Sequence, residues 1–172
     1  MSQPTELIQE VYKDCTPPIN VKKTVQLLLQ YVPPEDLAHL QSIVLTNTAA
    51  LSRERKRQRS SSGASMSLVM GRYHPGNKEQ PAYIEIYVDN QLEGKSWYDL
   101  KLPILRNWMF ANVLYHEIGH HIQYTSKLKL VKRENFAANY ASCLRKNFSR
   151  QRYACFRPLF NAFYWGIKKS VW

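Results

Sequence analysis

Apolar residues recur along this chain with two different periods, and the change from one to the other marks out its elements. Val21, Val25, Leu28, Leu29 and Val32 fall three or four residues apart behind Asn20, a good N-cap, and Pro33-Pro34 stops the run; a first helix is predicted over 20–32. After a turn over 35–40, Ile43-Val44-Leu45-Thr46 reads as a strand, and Met66 through Tyr73 as another. The clearest strand is Tyr83 to Asp89. It alternates strictly, with Ile84, Ile86 and Val88 on one face and Tyr83, Glu85, Tyr87 and Asp89 on the other. Residues 104–124 then form one long helix opening at Pro103, with apolar residues on most of its surface, which places it in a core. The run from Thr125 to Lys129 is a helix–helix connection, and a second helical pattern covers about 131–147. A last segment, about 157–172, carries Leu159, Phe160, Phe163 and Ile167 at helical spacing. Helix, strands and then helices define an α+β chain.

A length of 172 residues with 44% apolar content suits one domain, 1–172, with a core of its own. The start, Met1 to Glu6, lacks the basic-then-apolar pattern of a secretory signal, and no stretch is apolar for the length of a bilayer. Three widely spaced cysteines, Cys15, Cys143 and Cys155, fit reduced thiols better than a disulfide framework. A cytoplasmic protein without a membrane span is expected. Cys143 reads as a small core residue of the second long helix.

The long helix carries His116-Glu117-Ile118-Gly119-His120. Positions i and i+4 of a helix lie about 40° apart and about 6 Å along the axis, so both imidazoles reach one ion. This is zinc spacing, and Glu117 stands beside the metal, where it can take a proton from bound water. His121 projects about 100° away from His120 and is not expected to be a ligand. If the chain reverses near Lys127, the residue facing His120 is Glu134. Behind it Ala137, Ala138 and Ala141 form a small-residue stripe that lets the two helices lie close. His116, His120 and Glu134 then make a three-ligand site with a position left for water, the catalytic form of a zinc site.

These residues resemble the gluzincin class of metallopeptidases, and within it the ImmA/IrrE family of small HExxH peptidases. That family's pattern is a His-Glu-x-Gly-His helix followed by a glutamate with alanine at +3, asparagine at +4, an aromatic at +6 and alanine at +7. Here Glu134 is followed by Ala137, Tyr140 and Ala141 at +3, +6 and +7, with the asparagine, Asn139, at +5. The likeness covers about the middle half of the chain. It implies a small zincin-like fold, in which a short, mostly antiparallel three-stranded sheet packs on an active-site helix and a glutamate helix. It also implies that an edge strand over the cleft holds the substrate backbone, for which Met66 to Tyr73 is a candidate. The activity implied is hydrolysis of peptide bonds in a protein or peptide substrate, with zinc as cofactor and Glu117 as proton acceptor. Ala138 stands where thermolysin-like gluzincins carry an aspartate, so the acceptor for a zinc histidine must be another residue, with Asn139 and Asp89 as candidates. His74, Tyr124, Tyr140 and Tyr153 are the candidate donors to a developing oxyanion.

The net charge of +11 is concentrated in Arg53 to Arg59, within a basic loop expected to be mobile over about 52–64, and in the C-terminal part of the chain, which has no acid after Glu134. Such a surface attracts nucleic acid, anionic membrane or acidic protein, but no nucleic-acid recognition motif accompanies it, and solvation of a loop is the simpler reading. The alternative to an enzyme is a zinc-containing regulatory protein with little turnover that binds nucleic acid or a repressor through its basic surface.

Overall fold

The structure is a computed structural model describing residues 7–52, 54–55, 69–77, 80–126 and 133–154. The expected basic loop falls largely outside the described residues, as do Met66 to Leu68, Cys155, most of the connection after Thr125 and the C-terminal segment 157–172.

Helix α1, Val21–Leu29, starts where the sequence caps it: Asn20 Oδ1 accepts the Lys23 N–H at 2.8 Å. Its face of Val21, Val25, Leu28 and Leu29 is buried, and after Leu29 the chain passes through a short 3-10 turn at Pro34–Leu37. The sheet corrects two expectations. Among the described residues it has four strands rather than three, and it is mostly parallel rather than mostly antiparallel. The additional strand is β1, Ile8–Val11, which pairs in parallel with β2, Leu40–Thr46. Only Ile8 of β1 is buried, so the strand has no alternation to read; backbone pairing holds it, together with Asn47, whose side chain bonds both Lys13 N–H and Lys13 C=O. Strand β4, Ala82–Tyr87, pairs in parallel with β2, and only β3, Gly71–His74, runs antiparallel, at the edge beside β4.

Strand β4 is shorter than its alternation suggests. Val88 and Asp89 begin α2, Val88–Leu92, where the Asp89 carboxylate accepts both the N–H and the hydroxyl of Thr48. The register aligns Ile43 with Ile84 and Leu45 with Ile86, and these four side chains form the floor of the core. After α3, Trp97–Lys101, comes α4, Pro103–Thr125, with Pro103 in its first turn as expected. Phe110, Leu114 and Ile118 of α4 are fully buried in the core, and Tyr115 Oη donates to the Leu28 carbonyl, tying α4 to α1. Helix α5, Arg133–Arg152, packs along α4 through Ala137, Ala141, Leu144 and Phe148. Ala138, expected in that stripe, is exposed, and so is Cys143, which is therefore not a core residue. None of the helices among the described residues is long and apolar enough to cross a membrane.

The opposite face of the sheet is covered as well, by a charged group. Glu85 accepts bonds from both guanidinium nitrogens of Arg55, at 3.0 and 2.6 Å, from His74 Nε2 at 2.9 Å and from Tyr87 Oη at 2.7 Å. Burial pushes its pKa up, but the hydrogen bonds from His74, Arg55 and Tyr87 outweigh this and bring it down to about 2. The folded value lies below the ordinary 4.5, so this carboxylate stabilises the fold above pH 4.5 and the contribution is lost as pH falls through about 2. The shift corresponds to about 3 kcal/mol. Thermal unfolding should show a stability decline over that acid window, and Glu85→Gln should flatten it while lowering stability at neutral pH.

Candidate metal centre

Helix α4 brings His116 and His120 to one side, and the first turn of α5 brings Glu134 to meet them. The Nε2 atoms of the histidines are 3.2 Å apart, and Glu134 Oε2 lies 3.4 Å from His116 Nε2 and 3.7 Å from His120 Nε2. Nitrogen and oxygen ligands about 2.0–2.2 Å from a tetrahedral ion stand about 3.3–3.6 Å from one another. The three atoms therefore fit one ion, and the group could hold a metal. The donor set, two imidazoles and one carboxylate, leaves coordination positions for water or substrate.

Close packing of the two helices creates this meeting. A Cβ on Gly119, between the two histidines, would stand 2.7 Å from Ala137 Cα, a backbone atom that cannot move aside cheaply. The glycine of the motif thus sets how near α5, and with it Glu134, approaches. Gly119→Ala is expected to cost about 1–3 kcal/mol and to weaken metal binding, readable as a lower unfolding midpoint and a higher dissociation constant by metal titration.

One outer partner escaped the sequence reading. Gln123 is buried one turn beyond His120, with Oε1 3.4 Å from His120 Nδ1, while Gln123 Nε2 donates to the Arg133 carbonyl at 2.7 Å. With its proton on Nδ1 donated to Gln123, His120 presents the Nε2 lone pair to the ion. The same glutamine ties the C-terminal part of α4 to the start of α5. Its i+3 spacing from His120 was the signal available in the sequence. Neither expected partner has this role: Asp89 is bonded to Thr48, and Asn139 is exposed on α5.

Glu117 is 8% exposed, against β3. A Cβ on Gly71 would overlap Val113 and lie 3.1 Å from Glu117 Cγ, so the glycine lets the edge strand approach. Burial raises the Glu117 pKa to about 7, against the effect of a backbone hydrogen bond from Tyr73. Burial also lowers the pKa of His116, helped by the neighbouring His120, which favours the neutral, ligating imidazole. His121 is buried away from the group: Nε2 bonds the Ala38 carbonyl at 2.8 Å and Nδ1 lies 3.2 Å from Tyr73 Oη.

Three of the four residues expected as oxyanion donors are engaged elsewhere. His74 is held by Glu85, Tyr140 Oη donates to Asp36 at 2.6 Å, and Tyr153 Oη accepts from Asn107 and donates to the Pro103 carbonyl. Tyr124, one turn past His120, is half-exposed and accepts a hydrogen bond from Arg133. Compared with known proteins, the chain matches no family model, no curated protein and no solved structure.

Proposed function

We propose that this chain is a zinc-dependent metallopeptidase of the gluzincin type. The observation that carries the reading is the triangle of His116 Nε2, His120 Nε2 and Glu134 Oε2, closed to 3.2–3.7 Å, with the buried carboxyl of Glu117 near enough to feel the charge of Glu134. Two imidazoles and a carboxylate with positions left open suit zinc in a catalytic site. A bound zinc would supply Lewis acidity, bringing water toward ionisation near neutral pH and polarising a carbonyl.

The chain's own residues supply the rest. Burial raises the proton affinity of the Glu117 carboxyl, which suits a group that accepts a proton from the attacking water and hands it to the departing amine. Tyr124 is the remaining expected residue: its hydroxyl accepts from Arg133 and keeps its own proton to donate to a substrate oxygen approached from the α4 side. Strand β3, at the sheet edge and with its Tyr73 N–H bonded to Glu117, offers its remaining outer backbone groups to an extended peptide, which would pair with it as a further strand. Gly71 in β3 supports this, since a larger residue there would push the strand away from the carboxyl. The expected ImmA/IrrE likeness, and intracellular action on a protein substrate, belong to the same proposal.

Incubation with a quenched-fluorescent peptide library tests it. Cleavage should stop on removal of metal by a chelator and return with zinc. Cleavage indifferent to chelation, or none with the zinc-loaded protein, contradicts it.

A further inference from the structure

Away from the metal group, α3 and the first half of α4 expose a set of large apolar side chains. Trp97, Tyr98, Leu102, Leu105 and Trp108 are each between 45% and 77% exposed. Leu102 N–H donates to the Tyr98 carbonyl where α3 gives way to α4, and Leu102, Leu105 and Trp108 follow at the spacing of three that puts helical residues beside one another. Five such residues within twelve positions concentrate exposed apolar surface on this part of the protein, of the kind that marks an interaction surface.

The rim of the patch is cationic. Lys101 Nζ lies 4.4 Å from the Trp97 ring and the Arg145 guanidinium 5.2 Å from the Trp108 ring. From Trp108 the surface continues into a groove of about 370 Å³ between α4 and α5, lined by Trp108, Ser142, Arg145, Lys146, Ser149 and Arg150. Among the described residues three cations and two hydroxyls line it, with no carboxylate. Arg145 Nη1 donates to Asn112 Oδ1 at 2.8 Å, which together with the Trp108 ring fixes the guanidinium at the wall of the groove.

We propose that this face binds the surface of an anionic phospholipid membrane, with the phosphate-bearing headgroup in the Arg145–Arg150 groove and Leu102, Leu105 and the tryptophans in the acyl boundary. Aromatic and aliphatic side chains beside Lys and Arg match the two layers of such a surface. Nucleic acid would use the cations but gain nothing from Leu102 and Leu105. Leu105 and His116 are eleven residues apart on α4, hence about 16 Å along the axis and within about 20° around it. A protein docked this way holds its metal group on the side of α4 that faces the bilayer. The binding itself does not rest on the peptidase reading.

Vesicle sedimentation of the full chain provides the test, comparing phosphatidylcholine alone with phosphatidylcholine containing about 30% phosphatidylserine. Binding should require phosphatidylserine and decline with salt. Leu102→Ser with Leu105→Ser should weaken it at least about tenfold, and Lys146→Gln with Arg150→Gln by a similar factor. All four positions are exposed, and circular dichroism of each variant checks the fold. Equal binding to both vesicle types, or phosphatidylserine binding that survives both pairs of substitutions, overturns the assignment. So does absence of vesicle binding, including the case where single-stranded DNA or an acidic peptide binds and is released by the substitutions.

Discussion

Glu117→Gln is expected to reduce peptide hydrolysis by about 10²–10⁴-fold while metal content stays at the wild-type level. Glutamine keeps the shape of the side chain but cannot accept the proton, and Glu117 is not among the three atoms that converge. The same variant carries a second, independent signal in the metal-free protein. Burial raises the pKa of Glu117 from 4.5 to about 7, so between these values the unfolded chain loses a proton that the folded chain keeps. The unfolded state binds fewer protons over that window, and stability falls as pH rises through it, by about 3 kcal/mol in all. Metal-free Glu117→Gln should therefore unfold at a higher temperature than metal-free wild type at pH 8, and at a similar one at pH 4. A variant that loses activity and metal together would show that Glu117 supports the site rather than the chemistry.

Glu134→Ala is expected to lower zinc affinity by at least about 100-fold, beyond the 10–100-fold that loss of an outer partner such as Gln123 would cost. Glu134 is 70% exposed in its side chain, so its removal leaves no buried cavity and should leave the fold and its unfolding midpoint without metal almost unchanged. Competitive titration with a chromogenic chelator reads the affinity. Retained affinity would mean that α5 supplies no ligand, and that the nearness of the two helices serves packing alone.

The parts of this molecule legible in its sequence are those fixed by local periodicity. His116 and His120 converge because a helix repeats every 3.6 residues, and the limits of α4 follow from Pro103 and its apolar surface. Glu134 was legible one step further, since a short connection between helices pairs residues equidistant from it. The sheet was not. Strand β1 contributes one buried side chain, and its parallel pairing with β2 joins segments over thirty residues apart, which leaves no local signature. Val88 and Asp89 continue the alternation of β4, yet the bond of Asp89 to Thr48 goes with a helical turn there. Alternation placed Glu85 and Tyr87 on the face opposite Ile84 and Ile86 and could say no more, because the residues that bond Glu85 there, Arg55 and His74, lie elsewhere in the chain. Gly119 was visible as part of a motif, but its purpose, the approach of Ala137, belongs to tertiary packing.

The convergence of three side chains on one ion is tested most directly by crystallising the zinc-loaded protein and locating the metal by anomalous scattering at the zinc edge. The account predicts a single peak about 2.0–2.2 Å from His116 Nε2, His120 Nε2 and a carboxylate oxygen of Glu134. A zinc ion bound away from the two histidines, or a protein fully exposed to zinc with no peak between α4 and α5, would contradict it.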